Sequence, residues 1–198
     1  SSSAASDVYK RQANGYYCAN NFKCDYQFNA PFTAWDEVSS TVSFRDAPKD
    51  KPFFYVWNTL LTHESRIWER SNMPLTVNPK DVEIPSYFPD IPEVRNDIAR
   101  KYSNIEAMDE KVGEIISQLE EDGLLENTII MFWSDHGGNL LRQKRAVGNS
   151  GLNVPLIIRY PNKIDAGKVD NRIVSLMDLG PTVLSLSLIH ISEPTRPL

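Results

Sequence analysis

Cysteine, long apolar runs and an excess of positive charge are all scarce in this chain, and each scarcity removes a class of protein. Two cysteines in 198 residues are too few for a disulfide framework, and nothing in the sequence requires Cys18 and Cys24 to pair. No apolar stretch approaches the roughly 20 residues that a membrane-spanning helix needs, and no signal-peptide pattern is visible. The net charge of -5, with no basic stripe, argues against a nucleic-acid partner. Internal repeats and low-complexity segments are missing too. What remains, 41% hydrophobic and 24% charged residues, is ordinary globular material, long enough for one core.

The chain reads as α/β, a mostly parallel sheet flanked by helices. Lys51 to Asn58 is rich in aromatic and β-branched residues and predicts a strand. Thr62 to Pro92 holds several prolines and little periodicity, so a long loop is expected, the kind that usually serves binding. From Ile91 to Leu119, Val94, Ile98, Ile105, Met108, Val112, Ile115 and Leu119 recur mostly every three or four residues. That spacing predicts an amphipathic helix, with Asp109, Glu110, Lys111 and Glu114 on its wet face and a left-handed cap at Gly123. Asn127 to Trp133 and Val154 to Tyr160 predict two more strands, and strand, helix and strand in this order make a right-handed crossover the default, with a mostly parallel sheet. A further helix is expected from Asp178, with Pro181 in its first turn.

The segment Thr128-Ile129-Ile130-Met131-Phe132-Trp133-Ser134-Asp135-His136-Gly137-Gly138 carries the chemistry. An apolar strand ends abruptly in a carboxylate, an imidazole and two glycines. Open α/β sheets place their sites just beyond the carboxyl ends of such strands. Adjacent strand residues face opposite ways, so Asp135 and His136 can share one ion only where the backbone has left the sheet, a turn that Gly137 and Gly138 are expected to allow. A carboxylate here is costly unless it is paired or bound to metal. The basic residues Arg142, Lys144 and Arg145 follow. Lys144 is a candidate oxyanion partner, and the two arginines read as surface charges.

Continuing through Ser150-Gly151-Leu152-Asn153-Val154-Pro155-Leu156-Ile157-Ile158-Arg159-Tyr160-Pro161, the chain resembles the sulfatases of the alkaline phosphatase superfamily. Lys51-Pro52-Phe53-Phe54 followed by Thr62-His63-Glu64-Ser65, and Gly15-Tyr16-Tyr17 followed by Lys23-Cys24-Asp25-Tyr26, resemble two earlier motifs of that family in the same order. The likeness covers roughly residues 13 to 186. It implies an alkaline-phosphatase-like fold, incomplete here, and hydrolysis of a sulfate ester or sulfamate on a carbohydrate. It implies a divalent cation at Asp135 and His136, with Ca2+ first and Zn2+ or Mn2+ also open because His136 brings a nitrogen donor. Lys23 and Lys144 are then sulfate contacts and His63 faces the leaving group. Asp25 stands where many members carry histidine. A periplasmic or secreted location is the family's expectation.

The formylglycine motif, Cys or Ser followed by x-Pro/Ala-x-Arg, is missing, as is the Asp-Asp pair that precedes it in the family. The formylglycine nucleophile is therefore expected upstream, and the chain is expected to be an internal piece of a catalytic domain spanning 13–186. Residues 1–12 and 187–198, His190 included, resemble translated adapter sequence and are expected to be non-native ends. Two other readings remain open at this point. One is a phosphate or phosphonate ester hydrolase of the same superfamily. The other is a non-catalytic anion- or glycan-binding remnant, in which Trp35, Trp57 and Trp68 could stack on sugars.

Overall fold

The computed structural model describes residues 2–26 and 33–187, with side chains described from residue 8 onward. It divides into two compact units, one of residues 1–58 and 171–198 and the other of residues 59–170.

The first unit opens with helix α1 (Ser2–Ala13), followed by strands β1 (Tyr17–Asn20), β2 (Glu37–Val38) and β3 (Phe53–Val56). All pairings are parallel, in the order β2-β1-β3. Aromatic and small residues suit a sheet covered on its faces: Cys18 and Ala19 of β1 are fully buried, and Trp35 stacks on Phe54 of β3 with ring centroids 6.0 Å apart. The segment predicted to be a non-native end is helical from Ser2. Val8 of α1 is buried, and the Arg11 guanidinium lies 3.8 Å from the Phe54 ring centroid, a cation–π contact. Tyr17 pairs with Phe53 and Asn20 with Val56, so β1 and β3 end together and their polar successors Asn21 and Asn58 meet beyond the sheet. Cys18 and Cys24 are free thiols.

The second unit contains a one-turn helix α2 (Arg66–Glu69), the long helix α3 (Pro92–Glu121), strand β4 (Ile130–Trp133), a one-turn helix α4 (Asn149–Leu152) and strand β5 (Leu156–Arg159). Helix α3 matches its predicted span, with Pro92 in the first turn, where a missing N–H costs nothing. Gly123 takes φ +68° just past its end. Asp109, Glu110, Lys111 and Glu114 are exposed, as their phase requires. The buried face is less apolar than the periodicity suggests: Ile98, Ala99 and Leu119 share it with Arg100, Ser103 and Asn104.

Those polar residues reach back to the segment before the helix, although Arg100 Nε is buried without a hydrogen-bond partner. Arg100 donates to the carbonyls of Ser71, Met73 and Pro74. Ser103 Oγ accepts from the N–H groups of Thr76 and Val77. Arg95 reaches the carbonyls of Pro79, Lys80 and Val82 and grips Asp90 with two nitrogens. A segment with little regular structure is thus fastened to α3 along its length. Val82, Ile98 and Ala99 form an apolar cluster beneath it.

Strands β4 and β5 pair antiparallel, with Trp133 opposite Leu156. Among the described pairs this is the antiparallel exception to the mostly parallel sheet expected. The residues between, 134–155, leave and re-enter the two-stranded sheet at one end, so the predicted metal turn and Lys144 lie on a single extended hairpin loop. Helix α5 (Leu179–Leu186) returns to the first unit, where it packs against α1, with Pro181 in its first turn. The segment from residue 188 on, His190 included, lies outside the described residues.

Candidate functional site

The loop after β4 is built by close backbone approach. Neither Gly137 nor Gly138 has a positive φ, which corrects the expectation that conformational freedom explains them. A Cβ on Gly137 would lie 1.9 Å from the Ser150 carbonyl oxygen, and one on Gly138 would lie 2.1 Å from Gln143 Oε1. The left-handed positions fall instead on Arg142 (φ 62°) and Arg145 (φ 68°), where a non-glycine backbone is held at a cost of about 1–3 kcal/mol. The loop offsets this with the Lys144 N–H to Gly138 carbonyl bond at 2.9 Å and the Gly137 N–H to Gly151 carbonyl bond at 2.9 Å. Asn139 Nδ2 donates to the Thr62 carbonyl at 3.2 Å, tying this loop to the one that carries His63.

Asp135 and His136 come together beyond the strand end. Asp135 Oδ1 lies 3.7 Å from His136 Nε2. His136 Nδ1 lies 2.7 Å from the Gly137 carbonyl, an acceptor, so Nδ1 carries the hydrogen and the neutral ring turns the lone pair of Nε2 toward the carboxylate. Two acceptors facing each other call for a positive charge between or beside them. A backbone carbonyl on the non-ligating nitrogen is also the usual way a metal-binding histidine is oriented. The pair therefore fits a divalent cation as part of a coordination shell. Among the described residues no group of three or more His, Cys, Asp or Glu side chains could hold a metal. Asn139 Oδ1, three residues on, is a buried oxygen without a protein hydrogen-bond partner, which suits an oxygen-seeking cation or its water.

His63 and Lys144 form the opposite arrangement. Ser65 N–H donates to His63 Nδ1 at 3.3 Å, which puts the ring hydrogen of the neutral imidazole on Nε2, and that nitrogen faces Lys144 Nζ at 3.4 Å. Here two donors converge, and an anionic oxygen could accept from both. Glu64 closes the other side. Its Oε1 is 3.5 Å from Lys144 Nζ, and its two oxygens meet both terminal nitrogens of Arg145 at 3.0 and 3.4 Å. Burial pushes the Glu64 carboxyl up, but Lys144 and Arg145 outweigh it and hold it below the usual glutamate range. Arg145 anchors Glu64, and Glu64 steadies Lys144. Sequence reasoning missed this relay. The signal was available as a carboxylate beside the predicted acid and a second cation beside the predicted lysine.

Lys23 belongs to the first unit. It sits in a turn between Phe22 (φ 75°) and Asp25 (φ 45°), and its Nζ pairs with Asp25 at 3.1 Å. Its carbonyl accepts from Asn20 Nδ2 at 3.1 Å and from Asn58 Nδ2 at 3.3 Å. Asn58 Nδ2 also reaches Asn20 Oδ1 at 3.0 Å, and Asn21 Nδ2 donates to the Asn58 carbonyl at 2.8 Å. Asn20 and Asn21 are buried, so three asparagines at the strand ends fix the main chain at Lys23. They too escaped the sequence reading, since asparagine carries no charge to attract notice.

The sulfatase family model matches residues 2–188. An ulvan-active sulfatase of Formosa agariphila is 42% identical, over 87% of this chain and 35% of that protein. Human N-sulphoglucosamine sulphohydrolase is 33% identical, over 56% of this chain and 22% of that protein. A solved Bacteroides fragilis chain described as a sulfatase superposes with a TM-score of 0.54 at 28% identity, over 70% of this chain and 32% of that one. The chain thus spans about a third or less of the length of these relatives.

Proposed function

This chain belongs to the sulfatase family, and on that premise we propose that it supplies the leaving-group and sulfate-binding part of an enzyme that hydrolyses sulfate esters, or sulfamates, on carbohydrates. The observation that carries the reading is the pairing of opposites across two loops joined by the Asn139 to Thr62 bond. Asp135 and His136 present two acceptors 3.7 Å apart, and Lys144 with His63 presents two donors 3.4 Å apart. A sulfate ester needs both, a cation for its oxygens and donors where charge grows as the S–O bond breaks.

In that reaction an oxygen nucleophile bonds to sulfur as the S–O bond to the sugar breaks, the electron pair of that bond passes to the leaving oxygen, and this oxygen takes a proton from His63 Nε2. Lys144 neutralises a non-bridging oxygen, and Lys23 is assigned the same task. Asp135 and His136 hold a divalent cation, taken as calcium by resemblance, which supplies polarisation of the sulfate when bound. No residue of this chain is assigned the nucleophilic step. Carbohydrate substrates are proposed because the relatives include an ulvan-active sulfatase and an N-sulphoglucosamine sulphohydrolase.

The test is release of inorganic sulfate from a sulfated sugar, set against release of phosphate from its phosphorylated counterpart. Sulfate release that falls sharply in His63→Gln and Asp135→Ala is expected. Preferential phosphate release would move the protein to the phosphatase branch, and wild-type rates in both variants would remove these residues from the chemistry.

A further inference from the structure

The loop between α2 and α3 is fastened more heavily than its lack of regular structure demands. Arg100, buried to 3% exposure, satisfies three of its carbonyls, and Arg95 secures three more carbonyls along with Asp90. Arg100 Nε is buried without a partner, but the bonds from its two terminal nitrogens and from Arg95 fix the loop's carbonyls against α3, so this loop is held in one shape. Preorganisation of that kind lowers the entropic cost of binding. What the loop presents is aromatic. The rings of Tyr87 and Phe88 meet with centroids 4.8 Å apart at 42°, and Tyr87 remains exposed.

Against Tyr87 lies a residue of the other loop. The Arg142 guanidinium carbon is 5.3 Å from the Tyr87 ring centroid. Arg142 sits at φ 62°, and its carbonyl accepts from Ser150 Oγ, so its backbone too is fixed. A guanidinium laid against a ring keeps its N–H edge directed sideways, where it can meet a carboxylate or sulfate in a planar fork. Lys144 is two residues away on the same loop.

We propose that Tyr87, Phe88 and Arg142 form a carbohydrate subsite beside the sulfate-binding loop, the rings taking the apolar face of a neighbouring sugar and Arg142 taking its anionic substituent. The subsite selects polyanionic glycans over lone sulfate esters. It deepens the sulfatase reading and rests on it for the nature of the ligand.

Binding to the chain itself provides the test, because no turnover is required. The probes are a sulfated, uronate-containing tetrasaccharide, its unsulfated counterpart, and inorganic sulfate, each followed by calorimetry. Tyr87→Ala and Arg142→Gly should each weaken the sulfated tetrasaccharide about fivefold or more, on the scale of a lost stacking or charge-assisted contact, and leave inorganic sulfate unaffected. Tyr87→Phe should bind as the unaltered chain does. Glycine at 142 removes the side chain while suiting the left-handed backbone, so misfolding does not confuse the result. Unchanged tetrasaccharide affinity in both variants, equal loss of inorganic sulfate, or no tetrasaccharide binding by the unaltered chain would each overturn the subsite. Lys144→Met separates the two readings: inorganic sulfate affinity that survives it counts against the oxyanion role of Lys144 and leaves the Tyr87 result to stand by itself.

Discussion

The two candidate lysines, one in each unit, are held in opposite ways. Lys23 is fixed through its main chain, with two buried-side amides, those of Asn20 and Asn58, clamping its carbonyl, while its ammonium pairs with Asp25, a side chain 69% exposed. Lys144 is fixed through its charge, held by a Glu64 side chain only 23% exposed that Arg145 anchors in turn. Both turns are strained, since Phe22 and Asp25 in one and Arg142 and Arg145 in the other take left-handed backbone without being glycine. The strain has the same purpose in each, to aim a point charge, but the support differs. A neutral clamp leaves the ammonium able to swing toward a ligand. A charged bracket defines where the ammonium is before a ligand arrives.

The largest expected effect comes from removing the bracketed charge. Lys144→Met should lower sulfate release about a hundredfold or more, the scale of losing one preorganised electrostatic group, and Lys23→Met should cost less because its ammonium is less constrained. Steady-state rates on one sulfated sugar check both. Equal losses would erase the distinction drawn between the two turns. Next in size is the clamp. Asn20→Ala should destabilise the fold by about 2 kcal/mol, since it removes one acceptor of the Asn58 amide and one donor to the Lys23 carbonyl and leaves a small cavity at a buried position. Urea unfolding measures it, and a change under ~0.5 kcal/mol would show that the asparagines do not fix the turn.

Much of this was legible in the sequence, and the reasons it was or was not are physical. Helix α3 follows from apolar spacing, and β3 and β4 follow from aromatic and β-branched runs, because burial forces those periods on any chain. Asp135 and His136 were legible because an abrupt polar pair after an apolar strand has few structural uses. The antiparallel return of β5 was not legible, since strand direction depends on the path of residues 134–155 and not on the strand's own residues. Nor was the meeting of Arg145 with Glu64, 81 positions apart. Pairing across such separations is set by the fold, and an isolated basic residue reads the same whether it is solvated or anchoring. The burial of Arg100 was not legible either, because its partners are carbonyls that carry no signature in the sequence.

Alkali should act on the first unit. Burial, and after it the Asp36 carboxylate, push the Cys18 thiol up from 9.0 to about 12. A folded value raised above the unfolded one contributes stability that is fully present below pH 9 and is lost as pH rises toward 12. By pH 10 the loss from this group is about 1.4 kcal/mol, one pH unit past the unfolded value. Cys18→Ala should flatten that limb in unfolding curves taken between pH 8 and 10, and an unchanged limb would mean that the thiol does not report on the sheet beneath Lys23.

Acid should act on the bracket, and more weakly. The Glu64 carboxyl is pushed up by burial but drawn lower still by Lys144 and Arg145, ending below the usual glutamate range. A depressed carboxyl contributes stability that is present above the unfolded value, near pH 4.3, and is lost as pH falls through the folded value. Because the pair lies toward solvent, salt screens much of it, so the effect on unfolding is the smallest expected here. Function is the more sensitive reporter. As Glu64 takes its proton, Lys144 loses its charged bracket and should behave more like Lys23. Glu64→Gln should therefore narrow the gap between Lys144→Met and Lys23→Met at neutral pH. If the gap is unchanged in that background, the charged bracket is not what distinguishes the two lysines.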